Sequence, residues 1–167
     1  GVINKEVNYL YKIDDLEFID GVFEACRLFK NLGYKIIIIT NPAGIAKGLY
    51  SLRQFEILNK WILKQFEYQG IKIHDVFLCP HDPQSGCNCR KPKPGMLLEA
   101  KNKYDISMGD SWLIGDKETD IEAAVAANIP NTILVRSGHK INEKNTAATY
   151  IIDSIKFAKN VINNKTL

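Results

Sequence analysis

The sequence predicts an α/β fold, a three-layer sandwich in which a central parallel sheet carries helices on both faces. Three observations predict it. Tyr34 to Thr40 is a near-continuous β-branched run with Ile36-Ile37-Ile38-Ile39 at its centre, the pattern of a strand buried on both faces. Strand-like and helix-like stretches then alternate to the end of the chain, as parallel strands joined by crossover helices do. Polar residues gather where the strands end, at Thr40-Asn41, after Cys79 and at Asp116. Open α/β sheets bind ligands beyond the carboxyl ends of their strands, so these three stretches are expected to converge on one site.

The elements follow in order. Residues 4–19 mix polar and aromatic residues and read as a loop holding Asn8, Tyr9 and Tyr11. A helix from about Asp20 turns Val22, Phe23, Cys26, Leu28 and Phe29 inward and ends at Gly33. The first strand ends at Thr40-Asn41, and Pro42-Ala43-Gly44 is expected to turn. Ser51 and Gln54 form a capping-box pattern that opens a long amphipathic helix closed by Gly70. Asp75 to Cys79 reads as a strand, and Pro94 suits the first turn of the helix bearing Met96, Leu97 and Leu98. Ser111 to Gly115 reads as a strand, Glu118 to Asn128 as a helix and Thr132 to Val135 as a strand. Tyr150 to Ile152 is the last strand expected and Ser154 to Ile162 the closing helix. Trp61 and Trp112 suit the core, and His74 and His139 read as surface or core histidines.

Composition narrows the function classes. A chain of 167 residues suits a single domain with its own core. A net charge of +3 with mixed signs and no long basic run argues against nucleic acid as the main partner. The longest aliphatic run is four residues, far too short to span a bilayer, and no signal peptide is visible. Three of the four cysteines cluster, and Cys26 lies on an apolar helix face. Clustered thiols with one free partner suit a reducing cytoplasm better than a disulfide framework. A cytoplasmic monomer is the expected state.

Two stretches carry chemistry. Cys79, His81, Cys87 and Cys89 have the spacing C-x-H-x5-C-x-C. Three thiolates and an imidazole form a closed tetrahedral set for a structural Zn²⁺, which would order a loop rich in Pro and Gly. Arg90 and Lys91 follow directly, two adjacent cations on a clamped loop that make an anion site. The second stretch is Gly115-Asp116-Lys117-Glu118-Thr119-Asp120. A carboxylate at a strand tip can hold Mg²⁺ together with phosphate and water, and Asp116 is read that way. Glu118 is read as a favourable charge at a helix N-terminus. Thr40 and Asn41 can donate hydrogen bonds to a phosphate oxygen, although such a pair after a strand is often a plain turn.

Thr40-Asn41, Arg90-Lys91-Pro92 and Gly115-Asp116-x-x-x-Asp120 together resemble the second, third and fourth motifs of the haloacid dehalogenase superfamily. The finer pattern is similar to its heptose bisphosphate phosphatase branch: Gly44-Ile45-Ala46-Lys47-Gly48, Cys79-Pro80-His81, Cys87-x-Cys89, Pro94-Gly95-Met96-Leu97 and Ala123-Ala124-x-Ala126-Ala127. The match runs over nearly the whole chain, through Val135-Arg136-Ser137-Gly138.

The resemblance implies a Rossmann-like three-layer fold with a zinc loop, Mg²⁺ as cofactor and a sugar bisphosphate as substrate. It implies hydrolysis of the 7-phosphate through an aspartyl-phosphate, leaving heptose 1-phosphate for surface-glycan precursors such as those of lipopolysaccharide. Carried over, Thr40 orients the phosphoryl group with Asn41 beside it, and Lys91 balances charge on the reacting phosphate. Arg90 fixes the distal phosphate, Asp116 holds Mg²⁺ and Lys117 touches substrate. Asn8 and Tyr9 sit where the early substrate loop runs.

The family's nucleophile and its acid–base partner belong to a D-x-D-G-V-I-N motif, of which this sequence holds Gly1-Val2-Ile3-Asn4. The expectation is that the sequence is incomplete at its start, because the strand carrying that motif lies at the middle of the sheet. Pro42-Ala43 stands where the family usually has Gln-Ser, which removes an amide hydrogen and a hydroxyl and bears on substrate preference. The rival readings are a histidinol-phosphate phosphatase, which shares the zinc spacing, and a sugar-phosphate-binding relative without a nucleophile.

Overall fold

The structure, a computed structural model, describes residues 1–163. Helix α1 (Val22–Asn31) buries Val22, Ala25, Cys26 and Phe29 at helical spacing. It stops at Gly33, whose φ of 86° supplies the left-handed residue that ends it. Strand β1 (Ile36–Thr40) leads into a short helix α2 (Ala43–Ala46), where a turn was expected. The turn becomes a helix because Pro42 donates no amide hydrogen and suits a helix start, and Ile45 N donates to Pro42 O (3.1 Å).

The capping box forms as the spacing predicts. Gln54 N donates to Ser51 Oγ (3.2 Å) and Ser51 N to Gln54 Oε1 (2.8 Å), opening α3 (Leu52–Tyr68). Then come β2 (Ile73–Leu78), α4 (Gly95–Tyr104), β3 (Trp112–Gly115), α5 (Glu118–Ala126), β4 (Asn131–Val135), β5 (Tyr150–Ile152) and α6 (Ala158–Ile162). The last helix begins as a single 3₁₀ turn, Ile155–Phe157, rather than as continuous α-helix.

All strand pairs are parallel, as expected, but they form two sheets: β1 with β2, and β3-β4-β5. Among the described residues no ladder joins β1 to β3. Their side chains nevertheless share the core. Ile36 packs in the cluster of Phe66 and Ile133 that also takes in Ile114, and Ile39 packs in the cluster of Leu113 and Leu134. The expectation of a β1 buried on both faces is therefore corrected. Every residue from Ile36 to Thr40 is only half-buried, whereas β4, paired on both edges, is buried throughout. Among the described residues no strand pairs with the other edge of β1, and its isoleucines stay partly open.

A bulge also marks the start of β1. The register slips between Ile36 and Ile37, and the residue passed over is His74. Its Nδ1 accepts the Ile36 amide hydrogen (3.3 Å), so a side chain takes the place of a ladder carbonyl. Residues 3–19 form a loop closed by backbone bonds, Lys5 N to Glu17 O (2.7 Å) and Ile19 N to Ile3 O (2.9 Å). No helix of the described residues is long and apolar enough to cross a membrane.

Candidate active site

The carboxyl ends of β1, β2 and β3 deliver the expected residues to one edge, and hydrogen bonds connect them. Lys91 is the hub. Its Nζ lies 2.7 Å from Asp120 Oδ1 and donates to Ile39 O at 2.9 Å. Both partners are largely withdrawn from water, the side chains being 13% and 8% exposed. Asn41 grips the same lysine by its backbone: Lys91 N donates to Asn41 Oδ1 (3.4 Å) and Asn41 Nδ2 to Lys91 O (3.3 Å). The Asn41 amide is thus engaged in locating Lys91. Thr40 ends β1 next to it, half-buried.

Asp120 also organises the tip of β3. Its Oδ2 accepts from the backbone N–H of Asp116 and of Lys117, both at 3.1 Å, at the first turn of α5. A carboxylate there satisfies orphan amides and suits the positive end of the helix. Gly115 makes room for it, since a Cβ at that position would come within 2.4 Å of Asp120 Cβ. The i+4 spacing from Asp116 at a helix start was the signal for this role.

Asp116 itself points to the loop after β4. His139 Nδ1 lies 2.7 Å from Asp116 Oδ2, and the Gly1 nitrogen lies 3.8 Å from the same oxygen. Gly138 lets the loop approach so closely; a Cβ there would sit 2.2 Å from Asp116 Oδ2. Ser137 Oγ donates to Gly1 O (2.6 Å). His139, expected to be a surface or core histidine, is therefore a site residue. It lies 23 positions from Asp116 in a loop, and no local pattern announced it. Lys117 is exposed beside this group.

The zinc loop stands at the end of β2. Cys79, His81, Cys87 and Cys89 converge with all their ligand atoms within 4.8 Å of one another. The separations are 3.5 Å for Cys79 Sγ to His81 Nδ1, 3.2 Å for His81 Nδ1 to Cys89 Sγ and 3.6 Å for Cys79 Sγ to Cys87 Sγ. Tetrahedral zinc at about 2.3 Å from sulfur and about 2.0 Å from nitrogen sets such edges at roughly 3.5–3.8 Å. Cys79 to Cys89, at 2.6 Å, is markedly tighter.

The Ser85 hydroxyl draws the Cys87 thiol down to about 6, whereas burial and its sulfur neighbours push Cys89 up to about 12. Three thiolates need a cation to coexist, and the donor set suits Zn²⁺. Cys79 is fully buried against Phe77, Met96 and Ala100, so the loop is rooted in the core. Arg90 Nη1 donates to His81 O (2.9 Å), which ties the arginine to the metal loop.

Asn8 and Tyr9 are exposed at a turn of the 3–19 loop. Tyr9 adopts a φ of 59°, uncommon for a bulky residue. Lys47 Nζ donates to its hydroxyl (2.6 Å), and Tyr11 stacks on Tyr50 (5.4 Å). These contacts bring the loop to the segment that follows Thr40-Asn41, a pairing across 38 residues that the sequence did not announce. Cys26 is buried, as expected, its thiol pushed up to about 12 by burial.

Comparison with known proteins agrees with this geometry. A family model described as HAD-hyrolase-like matches residues 88–158. The chain is 46% identical over 150 residues to the D-glycero-alpha-D-manno-heptose-1,7-bisphosphate 7-phosphatase of Photorhabdus laumondii, covering 86% of this chain and 82% of that protein. It is 40% identical over 163 residues to the D-glycero-beta-D-manno-heptose-1,7-bisphosphate 7-phosphatase of Escherichia coli K12, covering 93% of this chain and 85% of that protein. The crystal structure of the D,D-heptose 1,7-bisphosphate phosphatase from B. bronchiseptica, complexed with magnesium and phosphate, superposes with a TM-score of 0.84. It is 23% identical and covers 99% of this chain and 94% of that chain. The chain belongs to the heptose-1,7-bisphosphate 7-phosphatase family of the haloacid dehalogenase superfamily.

Proposed function

We propose that this protein serves the hydrolysis of the 7-phosphate of D-glycero-D-manno-heptose 1,7-bisphosphate, leaving heptose 1-phosphate. The observation that carries the reading is the Lys91–Asp120 pair. A largely desolvated ammonium held at 2.7 Å by a carboxylate and at 2.9 Å by a strand carbonyl is fixed in position before any substrate arrives. It stands at the strand ends with Thr40, Asn41 and Asp116.

In this reading Thr40 Oγ1 donates to a phosphoryl oxygen, and Lys91 Nζ neutralises a second. Asn41 and Asp120 are positioning residues for Lys91. Arg90, held on the zinc loop, takes the phosphate at the far end of the sugar, where a guanidinium can bind it by two parallel hydrogen bonds. Lys117, Asn8 and Tyr9 approach the sugar between the two phosphates. Asp116 would hold Mg²⁺, which when bound neutralises phosphate charge. Cys79, His81, Cys87 and Cys89 would hold Zn²⁺ and so set the position of Arg90.

The nucleophile and the acid–base group required by an aspartyl-phosphate route are a D-x-D pair, and no D-x-D occurs among the 167 residues. The reading places that pair at the end of a strand running between β1 and β3 into Gly1. One Asp attacks phosphorus and releases the sugar oxygen, which the other protonates. The second Asp then deprotonates the water that hydrolyses the aspartyl-phosphate.

The test uses the chain extended at Gly1 by such a strand, loaded with zinc and supplied with Mg²⁺. Phosphorus NMR of both heptose bisphosphate anomers should show loss of the 7-phosphate resonance while the anomeric phosphate persists, with histidinol phosphate left intact. Faster release from histidinol phosphate, or attack at the anomeric phosphate, would reject the reading.

A further inference from the structure

Lys93 lies outside the metal set and the phosphate groups assigned above, yet its ammonium is bound into the thiol loop. Its Nζ donates to Cys87 O (2.8 Å) and to Gly86 O (3.1 Å). Its own backbone is fixed, because Lys93 N donates to Arg90 O (2.9 Å). The segment it reaches has little else to hold it. Residues 82–86 are exposed. Among the described residues the backbone amides there bond within the segment: Ser85 N to Asp82 O (3.1 Å), Gln84 N to Asp82 Oδ1 (2.9 Å) and Cys87 N to Ser85 Oγ (3.4 Å). The returning limb of the loop lies against the start of α4, where Gly95 N donates to Asn88 O (3.1 Å). A Cβ at Gly95 would fall 2.2 Å from that oxygen. Lys93 therefore stands on a rooted limb and reaches across to an exposed one.

Charge adds to geometry. Zn²⁺ with three thiolates and a neutral imidazole leaves negative charge in excess at the site. Two cations face it from behind the ligands, Arg90 Nη1 on the carbonyl of His81 (2.9 Å) and Lys93 Nζ on that of Cys87. Groups placed behind metal ligands orient them and tune affinity, and losing one costs about 10–100-fold. We propose that Lys93 is a positioning residue of the metal loop: its ammonium holds the Cys87 limb in place for ligation and offsets the excess thiolate charge, so that the loop retains zinc. The inference rests on Cys79, His81, Cys87 and Cys89 holding zinc, as in the proposed function, but not on which substrate is hydrolysed.

The experiment is a competition for zinc between the zinc-filled 167-residue chain and a chromophoric chelator, read at equilibrium and as a release rate. Lys93→Met keeps an unbranched stem and removes the ammonium, and Lys93→Arg keeps the charge. Lys101→Met removes an exposed cation elsewhere on α4. Lys93→Met should weaken zinc binding about ten- to hundredfold, Lys93→Arg less than about threefold, and Lys101→Met should match the parent. The urea midpoint of the zinc-free chain should be the same in parent and Lys93→Met, because the contact acts on a loop that the metal orders. A lysine that only supports the fold would lower that midpoint and leave zinc affinity unchanged, which would overturn the inference. Equal losses in Lys93→Met and Lys101→Met would overturn it too, and both results leave the ligand set standing. A parent chain that takes up no zinc, and gives no tetrahedral thiolate spectrum with Co²⁺, would overturn the ligand set and the inference with it.

Discussion

Lys91 is surrounded as few lysines are, with a carboxylate and a strand carbonyl on its ammonium and an asparagine side chain on its backbone. Removing the cation leaves the Asp120 side chain without its partner in a site only 8% open to water, and breaking a buried pair from one side costs about 3–5 kcal/mol. Lys91→Met should therefore lower the midpoint of urea unfolding as well as impair function. Lys91→Met combined with Asp120→Asn should recover part of the stability but none of the function. Unchanged stability in the single variant would show that the pair is not held as described.

His74 provides a pH dependence with a definite sign. Its Nδ1 accepts the Ile36 amide hydrogen, so the neutral ring is the bonded form. Desolvation and then Lys72 lower its pKa below the ordinary 6.5. The unfolded chain then binds the proton first, so this stabilisation is complete above the unfolded pKa and is lost as pH falls through the depressed folded value. Urea midpoints should drop between pH 7 and pH 5, and His74→Ala should flatten that slope while lowering the plateau. An equal slope in the variant would assign the effect to other groups.

At the scale of elements, the proposed zinc loop would join metal to recognition. Arg90 is tied to the carbonyl of His81, so in this reading the loop's order and the arginine's position are one property. Elemental analysis should find one zinc per chain. Cys87→Ser should reduce it to a small fraction and weaken heptose bisphosphate binding about tenfold, although Cys87 touches no substrate. Full zinc occupancy in that variant would contradict the ligand set.

The elements also show what the sequence made legible. The capping box at Ser51 and the zinc spacing are set by residues close in sequence, and each converges as read, whereas the bond from the Asp116 amide to Asp120 was carried only by the i+4 spacing and not read in advance. His139 on Asp116, Tyr9 on Lys47 and His74 at the β1 bulge join residues 23 to 38 positions apart. Such contacts depend on how loops meet and on how two strands fall into register, which hydrophobic periodicity does not encode. The half-buried state of β1 was likewise illegible, because its composition states only what the strand is suited to, not which neighbours pair with it.

For the whole molecule, the two sheets are the governing feature. An unpaired strand edge exposes hydrogen-bonding groups and invites pairing. Between β1 and β3 two such edges belong to strands that already share a core. In hydrogen exchange, the β1 amides that do not face β2 should exchange rapidly in the 167-residue chain, while β4 is slow. Extension at Gly1 by an apolar strand ending in Asp-x-Asp should protect them and raise the melting temperature. Equal protection before and after extension would mean that the strand does not enter there.

The most direct measurement is calorimetric titration of the 167-residue chain, zinc-filled and in Mg²⁺, with heptose 1,7-bisphosphate, while free phosphate is assayed in the same solution. The expected result is one bound bisphosphate without phosphate release, weakened about tenfold by Thr40→Val, which removes one hydroxyl at nearly constant volume. Failure to bind, or binding indifferent to Thr40→Val and to Arg90→Ala alike, would contradict the assignment of these strand ends as the phosphate site.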